Sequence, residues 1–252
     1  MFCKKKKYDL IFGIGEACSC SQTLRSNDLQ IASYPLDWLF GTDFVGRCRI
    51  LASEFDHFIE KQDLSYSFST RSISCDAYYN KHNDLTFNHD FKAGKPLDET
   101  YDEVRAKYDR RIARLLKQIN AAKRILIVYM QTPLTVHIEV DDQTIEQGFS
   151  VITNHFKGKN IDLLYLKNST SEKRSYQLGN HIRVVVDDYK SHSEKVEDYA
   201  INSKPLKRIF ESYKLSMPFS YVAKRSTLRF FINNFIPVRS VRRRLRKKYH
   251  LD

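Results

Sequence analysis

Apolar and polar positions alternate along this chain with two different periods, and the switch between them outlines the elements. Four short runs are almost continuously apolar: "YDLIFGIG", "KRILIVYM", "IDLLYLKN" and "HIRVVVDD". Runs of this length and Val/Ile/Leu content predict strands buried on both faces of a parallel sheet. Between them the period lengthens. Val104, Tyr108, Ile112, Leu115 and Ile119 recur at steps of three or four, which predicts one apolar face of a helix from about Leu97 to Ala121. "QTIEQGFSVITNHF" and "RCRILASEFDHFIEKQDL" carry the same period, and a further helix is expected from about Ala17 to Leu29. Residues 66–96, rich in Ser, Asn, Asp and Tyr, show neither period and read as loop. Strands alternating with helices predict an α/β fold, an open and mostly parallel sheet flanked by helices.

The pattern changes once more at the end. Residues 224–252 mix Phe230, Phe231, Ile232, Phe235, Ile236, Val238, Val241 and Leu245 with a dense set of bases. This predicts a basic amphipathic tail, cut by Pro237 into two pieces, after a single catalytic domain over residues 1–223. Charge supports the division. The chain has 42 Lys and Arg against 30 Asp and Glu, a net +12. Ten of those bases lie between Lys224 and Lys248 with no acid among them, and the remainder carries 32 bases against 29 acids before Asp252. The body is therefore nearly balanced. A basic helix with an apolar side is suited to an anionic membrane surface, and no nucleic-acid-binding motif accompanies the charge.

The five cysteines are odd in number and irregular in spacing, so they form no disulfide framework. Cys18 and Cys20 are too close for a zinc pair, and no metal site is expected. No run reaches the roughly 18 apolar residues of a membrane-spanning helix. The basic start "MFCKKKKYDL" is not followed by a signal-peptide pattern, so a cytoplasmic location, peripheral to the inner membrane, is expected.

One place in this frame suggests chemistry. "GIGEAC" ends a strand and opens a helix, with Cys18 at its mouth. The first amides of a helix have no partner within it and lie at the positive end of its dipole. A thiol there is favoured as thiolate, and the same amides can hold an oxyanion. A nucleophilic cysteine needs a base. His89, in "TFNHDF" beside Asp90, is the first candidate; His192, four residues past Asp188 at a strand end, is the alternative.

The stretch "GEACSCSQTLRSNDLQIASYPLDWLF" resembles the opening signature of a bacterial family of papain-like cysteine peptidases of unknown function. Gly15, Glu16, Cys18, Leu24, Arg25, Ser33, Tyr34, Pro35, Asp37 and Trp38 fall on its pattern, with Leu36 in place of a Phe. A second block matches Phe87, His89 and Asp90, and residues 105–130 resemble a later helix and strand. The resemblance implies a papain-like fold with Cys18 as nucleophile and His89 as general base. Asp90 and Asp37 would be its acidic partners, Asp37 either orienting the histidine or capping a helix. Gly15, Glu16, Ser19 and Trp38 would be the substrate-contacting positions. The papain-type surroundings Cys-Gly-Ser-Cys-Trp are absent.

Such proteins resemble members of surface-polysaccharide clusters. A related papain-like group is associated with acetyl transfer to capsular sugars. The resemblance thus implies acyl transfer in surface-polysaccharide or lipopolysaccharide biosynthesis, with a glycan and an acyl donor as substrates. No tightly bound cofactor is implied, and acetyl-CoA is the candidate donor. The rivals are a cysteine peptidase or amidase, and a membrane-associated scaffold in which Cys18 is inert.

Overall fold

A computed structural model describes residues 5–70, 74–131, 140–189 and 203–248. In chain order the elements are β1 (Lys6–Tyr8), β2 (Leu10–Gly13), α1 (Ala17–Ser26), β3 (Leu39–Gly41), α2 (Phe44–Ala52), β4 (Leu64–Thr70), β5 (Cys75–Asn80) and β6 (Leu85–Lys92). They continue with α3 (Leu97–Ala121), β7 (Arg124–Met130), α4 (Asp142–His155), β8 (Asn160–Asn168), β9 (Arg174–Leu178) and β10 (Ile182–Asp187). The last are α5 (Lys204–Phe210), β11 (Tyr213–Leu215), α6 (Phe219–Phe235) and α7 (Arg239–Lys248). The chain divides into two compact units, residues 1–214 and 215–252.

The fold is α/β, with sheets flanked by helices. The central sheet has the order β2-β7-β8-β10-β9. Its first four strands are parallel, in register Leu10↔Ile125, Ile127↔Leu163 and Leu163↔Ile182, and β9 closes the edge antiparallel to β10. The four apolar runs of the sequence are these four parallel strands. Because they run the same way, their carboxyl ends gather at one end of the sheet, where open α/β proteins place their sites. Helix α3 spans the predicted residues, with Val104, Tyr108, Leu115 and Ile119 buried.

The described residues between 66 and 96 are not a loop. Most of them lie in β4, β5 and β6, which with β3 form a second, antiparallel sheet of order β3-β6-β5-β4. In β6, Leu85, Phe87 and Phe91 are buried while His89 and Lys92 are exposed. Polar side chains on the open face of a one-sided sheet hide the strand signal. Tyr78, Phe87, Phe91 and Tyr108 pack edge to face or tilted beneath it, with ring centroids 4.5–6.4 Å apart.

Two helices stop earlier than predicted, and for one reason. At the end of α1, Leu29 N–H donates to the Leu24 carbonyl and Asp28 N–H to that of Arg25. At the end of α2, Phe55 N–H donates to Ile50 and Glu54 N–H to Leu51. Both are Schellman closures, with Asp28 (φ 57°) and Glu54 (φ 55°) where glycine is usual. In the second unit, α6 and α7 are separated at 236–238, where Pro237 has no amide hydrogen to continue the helix.

Candidate active site

The turn between β2 and α1 is built by close approach. Ile14 N–H donates to the Val128 carbonyl at 2.9 Å and Glu16 N–H to that of Met130 at 3.3 Å. A Cβ at Gly15 would stand 2.7 Å from the Met130 amide nitrogen and 2.8 Å from Cys20 Cβ, so only glycine fits. Ala17 then takes a left-handed conformation (φ 56°). That geometry costs a residue with a Cβ roughly 1–2 kcal/mol. Ala17 is the residue that delivers Cys18 into the first turn of α1.

Glu16 is the N-cap of α1, yet its side chain makes no capping bond. Its Oε1 instead accepts from the Tyr129 hydroxyl at 2.6 Å. The Glu16 carboxylate is thus directed to β7 and not to the first turn of α1. Ser19 is fully buried, and its hydroxyl finds no hydrogen-bond partner among the described residues.

Cys18 and Cys20 have different surroundings. Residues two apart on a helix point about 200° away from each other. Cys20 turns to β7, its Sγ donating to the Val128 carbonyl at 3.6 Å, and burial pushes its thiol up to about 12. Burial also pushes Cys48 well above the ordinary thiol value, and Cys75 is shifted in the same direction. These three are poor thiolates near neutral pH. Cys18 holds the position at the head of the helix, with 8% of its surface exposed.

Arg47, which the sequence reading passed over, anchors this turn. It is completely buried and reaches five carbonyls. Nη1 donates to Gly15 at 3.0 Å and Ile14 at 3.5 Å; Nη2 donates to Gly41 at 2.8 Å and Leu39 at 2.9 Å; Nε donates to Thr42 at 3.4 Å. Burial draws its pKa below the ordinary guanidinium value. The only sequence signal was an arginine inside the apolar stripe of "FVGRCRILA".

Asp37 lies beneath α1. Its Oδ2 accepts from Gln30 Nε2 at 2.7 Å, Tyr34 N–H at 2.8 Å and Arg25 Nη2 at 3.4 Å. Its backbone carbonyl accepts from Ser21 Oγ at 3.0 Å. Burial raises its carboxyl to about 6, against those hydrogen bonds and Arg25. The next residue, Trp38, lies under the Arg25 guanidinium at 5.5 Å and meets the His89 ring edge-on at 6.3 Å. The Asp37–Trp38 segment therefore joins the helix of Cys18 to His89. The imidazole of His89 is drawn below its ordinary pKa by partial burial, with Asp90 opposing.

Asp90 and His89 diverge where the β5–β6 ladder shifts register. Asp90 turns onto α3, where Lys107 Nζ lies 2.6 Å from Oδ1 and the Tyr108 hydroxyl donates to Oδ2 at 2.8 Å. Its influence on His89 is through charge. Asp188 follows β10 at the same sheet end as Cys18. Three strand spacings, roughly 14 Å, separate their strands. His192 lies outside the described residues.

Fold and turn together define an α/β protein with a cysteine at the head of a helix, at the carboxyl end of a parallel sheet. Residues 9–159 match the family described as "Putative papain-like cysteine peptidase (DUF1796)", and the chain belongs to that family. No curated protein and no solved structure matches the chain.

Proposed function

We propose that Cys18 accepts an acyl group as a thioester and passes it to a hydroxyl of a surface glycan. The observation that carries this reading is the position of Cys18 on the first turn of α1, directly after the tight β2–α1 turn built by Gly15 and Ala17. His89, whose pKa is lowered by partial burial, takes the thiol proton. The thiolate attacks the donor carbonyl, and the first-turn amides of α1 hold the oxyanion. Collapse expels the donor's leaving group, which takes the proton from His89. The acceptor hydroxyl then loses its proton to His89, attacks the thioester and releases Cys18. An acyl thioester such as acetyl-CoA is a donor of the required class. Trp38, partly exposed beside His89, offers an aromatic wall of the kind a sugar ring packs against.

The family description favours a second reading in which water replaces the sugar hydroxyl and the donor is a peptide or amide. Both share the acyl-enzyme. Incubating the full chain with acetyl-CoA, or with a fluorogenic peptide amide, separates them. Acyl transfer requires an acetyl adduct on Cys18 that is discharged faster by a glycan than by water. Peptide turnover with no adduct from the thioester supports the hydrolase, and no adduct from either donor leaves Cys18 inert, as the scaffold reading requires.

A further inference from the structure

Beyond that reading, the second compact unit has a feature that catalysis does not use. Helices α6 and α7 and the break between them leave large apolar side chains in water: Phe230 is 58% exposed, Phe231 52%, Phe235 67%, Val238 52% and Val241 41%. The three phenylalanines form one patch, with ring centroids 6.1, 6.4 and 5.3 Å apart. An exposed aromatic cluster of this kind marks an interaction surface. After the break at Pro237, Val238 lies just before α7, and Val241 and Leu245 follow it at steps of three and four. Bases fill the positions between them, and Arg239, Arg243 and Arg244 are exposed. Arg242 Nη1 donates to the Asn233 carbonyl at 3.2 Å, which joins α7 to the end of α6. From Leu215 to Leu251 the sequence contains ten Lys or Arg and no acid.

We infer that α6 and α7 form a docking surface for a bilayer rich in anionic lipid, with the phenylalanines entering the headgroup region and the arginines meeting phosphates. The charge selects an anionic partner. The apolar stripe selects among anionic partners: aromatic rings can stack on nucleic-acid bases, but Val238, Val241 and Leu245 have no face for that, whereas acyl chains accept all of them. Among the described residues no helix is long and apolar enough to cross a membrane, so the contact is with the surface.

Co-flotation of the full-length chain with vesicles tests this. It is expected to float with phosphatidylcholine vesicles containing phosphatidylglycerol and to stay behind with phosphatidylcholine alone. Arg243→Gln with Arg244→Gln should weaken partitioning roughly thirtyfold, because each base near an anionic surface contributes about 1 kcal/mol. High salt should weaken binding without abolishing it, since screening acts on the charges only. Phe231→Ser with Phe235→Ser, both exposed and so compatible with an unchanged circular dichroism spectrum, should remove the salt-resistant part. Equal binding to neutral vesicles overturns the inference, as does failure to float. So does a phenylalanine variant that binds vesicles normally while random single-stranded RNA displaces it, for that result assigns the surface to nucleic acid.

Discussion

Gly15 and Asp37 show how single residues set the candidate site. Gly15 carries no Cβ because the β7 backbone occupies the space. Gly15→Ala must push Met130 or Cys20 aside, and overpacking of this kind costs about 1–3 kcal/mol. Chemical denaturation is expected to show that loss, together with slower alkylation of Cys18 as the turn shifts. Asp37 makes a pH-dependent contribution. Its folded carboxyl is raised to about 6 from an ordinary value of 3.8. A raised acid stabilises the fold while protonated, so its contribution is intact below pH 3.8 and is lost as pH rises through about 6. Asp37→Asn removes that dependence. Melting curves across this window should show the variant gaining on the parent by up to about 3 kcal/mol. A constant difference between the two would place the carboxyl near its ordinary value.

At the scale of elements, Arg47 joins what sequence distance separates: the β2–α1 turn, the end of β3 and α2 itself. Arg47→Met would leave several buried carbonyls without donors, at a cost of about 3 kcal/mol or more. Lysine should not rescue it, because an ammonium cannot reproduce the guanidinium fork. Equilibrium unfolding of both variants checks this; a loss below about 1 kcal/mol would mean that water replaces the guanidinium. The elements most legible in the sequence were those with an uninterrupted period. Helix α3 begins and ends where its stripe does, and the four parallel strands stand where their apolar runs stand. The β4–β6 sheet was not legible, because "TFNHDF" puts Asn and His among its strand positions and "SYSFST" belongs to an edge strand whose Tyr66 and Phe68 are themselves exposed, so no continuous apolar run marks either. Cys18 was legible from Gly-x-Gly-x-x-Cys opening a helix. The inward turn of Cys20 was not, since only the helix phase separates two cysteines in "CSC". Nor was the rotation of Asp90 onto α3, which depends on an irregular ladder.

At the scale of the whole molecule, one chain joins a nearly neutral α/β unit to a short, strongly basic helical unit. Their charges call for separate explanations, and +12 says little about the chemistry at Cys18. That chemistry reduces to a contest among thiols in the intact protein. Cys75 is the more accessible competitor, but its thiol is shifted upward by burial; Cys20 and Cys48 are buried and shifted further. The decisive measurement is peptide mass mapping of the full chain after limiting iodoacetamide at neutral pH, in the parent and in His89→Ala. Cys18 is expected to be carboxamidomethylated ahead of Cys3, Cys20, Cys48 and Cys75, and more slowly once His89 is removed. Earlier labelling of Cys75, or a Cys18 rate indifferent to His89, would contradict the assignment of Cys18 as a nucleophile served by that histidine.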